Sequence, residues 1–314
     1  MRIETADRLK GLCIVLMIAG HCLVPKALHD AIYLFHIPMF FFIAGFFFKP
    51  APIVKRLRSD VRRLLLPYFV CVLVVALRYG MDAFRIGNGD ALVRLLVASV
   101  VVGPDIDFGK WTGLAIGPVW FLCSLFWCRT VLNLLLHLRH GVMVSMLVGL
   151  GCCCVGQRLH LPLGLMQGMT GTFFAGAGYL AGNHREFFQR RGLLPVAAVC
   201  ALPAAFIPSM DMNLGLYPCN LLNLVVSLAA CCLLWNVFYV AEGAVFWGLA
   251  FLSWTGRFSL LVLMVHYFEF MTFYWYDRLS FLPALAVVPI RVCIDLAVSF
   301  GLSKIPFVRK FCIL

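Results

Sequence analysis

The chain has 314 residues, of which 63% are hydrophobic and only 13% charged, and its formal net charge is +12. Its mean hydropathy is +0.96, whereas a soluble domain is only about 45–50% apolar, so a water-soluble globular class is excluded. So basic a soluble protein would suggest a nucleic-acid partner, but here the basic residues gather between apolar stretches, where they read as topology signals for a membrane lipid environment.

Apolar runs bounded by charge, Gly or Pro predict ten helices, at about 9–25, 31–48, 64–80, 115–136, 141–156, 163–181, 193–209, 217–240, 258–276 and 281–301. At about 20 residues per crossing these windows fill roughly two-thirds of the chain, which leaves loops too short for a soluble domain. The expected fold is all-α, a polytopic membrane bundle of about ten transmembrane helices forming one domain over 1–314. The first window has the charged lead of a signal peptide but a poor small-residue cleavage site, so it reads as an uncleaved span. "DALVRLLVASVVVG" (90–103), with Arg94 and flanking acids, reads as a helix on the outer surface. "GAVFWGLAFLSW" (243–254) reads as a re-entrant or interfacial connector.

Charge asymmetry then orients the bundle. With the N-terminus inside, the cytoplasmic side receives Arg2, Arg8, Lys10, the basic run from Lys49 to Arg63, Arg139, Arg185, Arg190, Arg191, Arg257 and the C-terminal Lys304, Arg309 and Lys310. The outer side keeps Lys26, Arg78, Arg85, Arg94, Lys110, Arg158 and Arg278, with Arg129 and Arg291 assigned to the membrane. Both termini are expected in the cytoplasm. The fourteen cysteines fall mostly inside apolar windows with no C-x-x-C pair, so they read as small apolar side chains and no metal site is expected.

The first helix holds the sharpest signal. In "DRLKGLCIVLMIAGHC" (7–22), Lys10 and His21 stand eleven residues apart, about 20° past three full turns, hence on one face and roughly 16 Å apart along the axis. Asp7 lies on the same side, three residues before Lys10. A titratable group within a bilayer costs several kcal/mol unless it is paired or lines a wet cavity, which makes His21 a functional candidate by default. The bland readings are a histidine bonded across helices and an interfacial lysine that snorkels.

The second window adds His36 and Pro38, which frees a backbone carbonyl nearby. His266 stands in "SLLVLMVHYFEF" with Glu269 three residues on. Together the three histidines suggest a polar chamber, although spacing does not place them in one. "KRLRSDVRRLLLPYF" supplies Lys55, Arg56, Arg58, Arg62 and Arg63, either a plain positive-inside loop or a phosphate site, since guanidinium forks match phosphate geometry. Arg291 and Asp295, four apart in the last helix, are expected to form a structural ion pair.

These stretches, in this order, resemble the integral-membrane acyltransferase-3 family, in particular its short branch of sugar O-acetylases of the fucose 4-O-acetylase kind. The resemblance lies in "DRLKGLCIVLMIAGH", "FHIPMFFFIAGFFF", "RRLLLPYF", "GPVWFLCSLF", "FFAGAGYLAG" and "WTGRFSLLVLMVH", which span 7–266. It implies transfer of an acyl group, usually acetyl from cytosolic acetyl-CoA, to a hydroxyl of a cell-envelope glycan or lipid-linked sugar, at the inner (plasma) membrane. On that resemblance His21 matches the essential histidine, Lys10 its basic partner and Asp7 the neighbouring acid. The basic loop (Arg56, Arg58, Arg62, Arg63) falls where the donor would be bound, and His36, Trp120, Ser259 and His266 fall on recurrent motif positions; with Glu269, beside His266, they are the residues expected in the substrate chamber. Lys10 departs from the arginine common in the family, and the basic loop lacks a clean R-x-x-R.

A neutral His21 can act as general base for the sugar hydroxyl. Lys10, about 16 Å away on a straight helix, would reach the pantetheine or phosphate end of CoA rather than the reacting atom. The rival class is a transporter or flippase of sugar or lipid-linked sugar, in which the same histidines would couple protons. Absent internal repeat symmetry weighs against it. A non-catalytic membrane scaffold is a further alternative, and succinyl could replace acetyl.

Overall fold

The computed structural model describes residues 3–101, 116–156, 159, 161–190, 193–241 and 247–312. Each of the ten apolar windows holds a helix. In chain order the longer helices are α1 (Glu4–Gly20), α2 (Lys26–Phe46), α3 (Ile53–Ile86), α4 (Asp90–Val101), α5 (Gly117–Leu135) and α6 (Gly141–Val155). There follow α7 (Leu165–Asn183), α8 (Leu193–Ala205), α9 (Leu221–Val240), α10 (Trp247–Arg257), α11 (Ser259–Thr272) and α12 (Ala284–Ser303). Five of them, α2, α3, α5, α9 and α12, are long and apolar enough to cross a membrane by length and composition. Among the described residues there is no strand, only an isolated bridge between Asp211 and Leu216.

Glycines set how closely these helices approach. Without a hydrophobic drive between helices in lipid, tight backbone packing and interhelical hydrogen bonds hold a bundle together. Helix α7 is its centre, packed against α2, α5 and α6. A Cβ built on Gly45 would collide with the Ala175 carbonyl, and one on Gly178 or Gly182 with the carbonyl of Phe42 or Phe46. The G-x-x-x-G spacing of Gly178 and Gly182 therefore forms the α2–α7 seam. Gly11 and Gly256 play the same part between α1 and α10, abutting the backbone carbonyls of Leu252 and Asp7. The 243–254 connector is thus helical from Trp247 and packs closely along α1, while 243–246 lie outside the described residues.

Several polar groups within the bundle find partners on neighbouring segments. Pro38 has no N–H to return to the Leu34 carbonyl four residues back. The Ser227 hydroxyl of α9 donates to that oxygen at 2.5 Å instead. Buried Asp60 accepts a two-pronged guanidinium contact from Arg129 of α5, with Nε to Oδ2 and Nη2 to Oδ1 both at 3.0 Å. The α3 backbone makes one wide turn over Val61–Leu65, just before Pro67, which also lacks an N–H. Asn133 grips both backbone groups of Ala51, accepting from its N–H at 3.0 Å and donating to its carbonyl at 2.8 Å. The expected surface helix at 90–103 is α4, whose Ser99 carbonyl accepts from Tyr68 Oη at 2.6 Å. Residues 102–103 lie outside the described residues.

Candidate active site

Helix α1 turns one face inward. Lys10, Ile14, Met17 and His21, at the spacing of successive turns, all line one cavity of about 190 Å³, well above the roughly 10–15 Å³ that a single water needs. Helix α2 contributes Tyr33, His36, Ile37 and Phe40, helix α5 Trp120 and Phe121, and helix α11 Ser259 and Leu263. The structure thus brings Lys10, His21, His36, Trp120 and Ser259 around a single space.

The two ends of this cavity differ in chemistry. At the Lys10 end, Lys10 Nζ lies 2.9 Å from Asp7 Oδ1, and Arg257 Nε lies 3.6 Å from Asp7 Oδ2. Asp7 is buried, whereas the Lys10 and Arg257 side chains keep 28% and 41% of their surface exposed. Two cations facing one carboxylate suit an anion entering at this mouth. Arg257 is placed there by Gly256, whose close approach to the Asp7 carbonyl sets the register of α10 against α1.

At the other end, the Tyr33 ring packs against Gly20, and the lining adds Asp211 and Asn213 from the α8–α9 loop. That loop is fixed in place. Ser209 Oγ donates to Asp30 Oδ1 at 2.8 Å, Asp211 Oδ1 accepts from the Asn213 N–H at 2.8 Å, and Gln167 Nε2 donates to the Asn213 carbonyl at 3.1 Å. Tyr33 stacks on His29 with ring centroids 3.9 Å apart and meets His36 edge-on at 5.0 Å. An aromatic face beside hydroxyl, amide and carboxylate groups can hold a hydroxyl-rich ligand.

His21 caps the C-terminal end of α1, directly after the Gly20 that meets Tyr33. Its Nδ1 lies 2.8 Å from the Met17 carbonyl oxygen. A carbonyl only accepts, so Nδ1 carries the proton and Nε2 keeps its lone pair, ready to take a proton. His36 is held in the same way, its Nδ1 lying 2.8 Å from the Ile32 carbonyl.

Several expected residues lie elsewhere. His266 and Glu269 are buried but do not line the cavity; they stand behind His21, with the His21 and His266 rings 5.4 Å apart. The expected Arg291–Asp295 pair gives way to two interhelical contacts. Arg291 forks onto Glu269, with Nε to Oε1 at 2.8 Å and Nη2 to Oε2 at 2.9 Å, and His266 Nδ1 donates to Asp295 Oδ2 at 2.8 Å. One turn of separation brings Arg291 and Asp295 to the same face, but that face meets α11, whose charged groups offer closer geometry. His266, Glu269 and Asp295 present ligand atoms within 4.8 Å of one another. The Arg291 fork takes both Glu269 oxygens and His266 Nδ1 bonds Asp295 Oδ2, whereas His266 Nε2 and Asp295 Oδ1 are buried with no hydrogen-bond partner among the described residues.

None of Arg56, Arg58, Arg62 and Arg63 lines the cavity. Arg58, Arg62 and Arg63 are exposed, and Arg56 lies over the Phe48 ring at 4.4 Å. Only Leu64 of that run reaches the lining. In their place stands Arg257, which sequence reasoning passed over although it lies inside "WTGRFSLLVLMVH". Asp211 and Asn213 carried no sequence signal, since loop residues show no periodicity that aims them, and Tyr33 reads as one aromatic among several on α2.

The sequence matches the family model described as an acyltransferase domain over residues 3–304. No curated protein and no solved structure matches it. A match over nearly the whole chain, together with the apolar helices, makes this a membrane acyltransferase: the chain belongs to acyltransferase family 3.

Proposed function

We propose that this acyltransferase is an O-acetylase of the short, fucose 4-O-acetylase-like branch, moving acetyl from acetyl-CoA to a hydroxyl of a cell-envelope glycan or lipid-linked sugar. In this reading the chain crosses the inner membrane about ten times with both termini in the cytoplasm. Acetyl-CoA enters at the Lys10 and Arg257 end. The sugar enters at the Tyr33, Asp211 and Asn213 end. The observation that carries the reading is that one cavity is lined both by that cationic mouth and by His21, which lies roughly 16 Å away along α1.

The chemistry then follows from the tautomer. His21 Nε2 takes the proton of the sugar hydroxyl as its oxygen attacks the thioester carbonyl carbon. The tetrahedral intermediate collapses, the C–S bond breaks, and the leaving thiolate of CoA recovers the proton from Nε2. The sugar oxygen keeps the acetyl group, and His21 returns to its starting state. An apolar wall of Ile14, Met17, Ile37, Phe40 and Leu263 supports the transfer by keeping bulk water from the thioester.

The test is CoA-dependent transfer by the purified chain in lipid, joined to mass analysis of envelope polysaccharide from cells with and without the gene. The reading expects labelled acetyl on the glycan and a mass difference of one acetyl group per modified sugar. Transfer of succinyl in its place would correct the donor. Polysaccharide that is unmodified but mislocalised would support the flippase reading.

A further inference from the structure

Helix α1 closes on His21 with no basic residue in its last turn and with Cys22, not glycine, next in the chain. The last carbonyls of a helix lack partners within it, and in a lipid-embedded bundle they cannot be left to water. Arg291, 270 positions away on α12, supplies one. Its Nη1 donates to the His21 carbonyl oxygen at 3.0 Å and lies 3.4 Å from Cys22 Sγ. The remaining nitrogens are fixed on Glu269 of α11, so the guanidinium cannot swing away.

The His21 ring is held from the same side. It meets the His266 ring edge-on at 5.4 Å and the Phe270 ring at 5.3 Å. His266 is itself oriented, its Nδ1 lying 2.8 Å from Asp295 Oδ2 and 3.1 Å from Glu269 Oε2. Arg291, Glu269, His266 and Asp295 are all buried and none lines the cavity, so a ligand filling it meets His21 but not the network behind. Replacing a buried ion pair with packed apolar side chains is often neutral or stabilising. Stability alone therefore gives little reason for four ionisable groups here, whereas a fixed His21 does.

We propose that Arg291 is a positioning residue: by gripping the His21 carbonyl while anchored on Glu269, it fixes the last turn of α1 and with it the angle of the His21 imidazole. This rests on the acyl-transfer reading with His21 as base. Lysine keeps the charge but offers a point donor in place of a planar fork. Arg291→Lys therefore cannot serve both Glu269 oxygens and the His21 carbonyl in the same geometry.

The experiment uses the full chain in lipid nanodiscs with labelled acetyl-CoA. Since a misplacement of about 1 Å can cost 100-fold, Arg291→Lys is expected to lower kcat by about 10–100-fold while donor KM stays within about 2-fold of wild type. Histidine-selective ¹⁵N NMR supplies a readout independent of turnover, with the His21 signal assigned by its loss in His21→Ala. Wild type should show the Nδ1–H tautomer of His21, and Arg291→Lys a mixture of tautomers. Wild-type kcat together with an unchanged His21 tautomer would overturn the proposal. So would a loss of kcat matched by an equal rise in donor KM. If Arg291→Lys does not melt cooperatively, Glu269→Gln, which leaves the guanidinium in place and weakens only its anchor, is read by the same two measurements. If wild type itself transfers no acyl group, the acyl-transfer reading fails, and the NMR comparison still decides whether Arg291 positions the ring.

Discussion

Arg257→Ala tests the assignment of the cationic mouth to the acyl donor. A hydrogen bond to a charged group contributes about 1.5–3 kcal/mol, but the Arg257 side chain is 41% exposed and shares Asp7 with Lys10, so solvent screening favours the low end. Taking about 1–2 kcal/mol, donor affinity should fall by about 5–30-fold, with kcat nearly unchanged because the site lies about 16 Å from His21. Initial rates of labelled acetyl transfer across a range of acetyl-CoA concentrations give KM and kcat, and equilibrium binding of labelled CoA gives the donor affinity directly. The effect should shrink in high salt as the phosphates are screened. Unchanged donor affinity with a collapsed kcat would refute the placement of the donor at this mouth.

Other substitutions separate parts of the architecture. The triple change Arg58→Ala, Arg62→Ala, Arg63→Ala removes three exposed cations that do not reach the cavity, and should raise donor KM less than Arg257→Ala alone when both are assayed at the same salt. Gly256→Val drives a side chain into the Asp7 carbonyl; overpacking of this kind costs about 1–3 kcal/mol, so the melting temperature should drop and the Lys10 end should lose donor binding with it. Ser227→Ala deprives the Leu34 carbonyl of its partner and should destabilise by about 0.6–1.7 kcal/mol, read as a lower midpoint in a thermal melt with kcat close to wild type.

Much of this organisation is legible in the sequence, for identifiable reasons. Apolar windows bounded by charge locate the helices because a helix in lipid must be apolar along its length, and each expected window holds one. The 3.6-residue period puts Lys10 and His21 on one face, and the cavity is lined by that face. Pro38 announces an unpartnered carbonyl, but nothing in the sequence says that Ser227 answers it.

What escapes the sequence is contact between helices. Arg291 and Asp295 satisfy the one-turn rule, yet their partners come from α11, where Glu269 offers both carboxylate oxygens to the guanidinium and His266 Nδ1 reaches Asp295 directly. His266 and Glu269 read as chamber residues since intramembrane charge signals function, but their face of α11 meets α12 rather than the cavity. The run from Arg56 to Arg63 draws attention by its density of charge. Beside Lys10, the cavity takes its second cation from Arg257, which is aimed by a helix–helix seam and shares the Asp7 carboxylate with Lys10.

The most direct test of the account is His21→Ala, assayed in lipid with labelled acetyl-CoA and a glycan acceptor, alongside binding of labelled CoA. The account predicts that acetyl transfer is abolished while CoA binding and the thermal melt stay close to wild type. Transfer at the wild-type rate would contradict it.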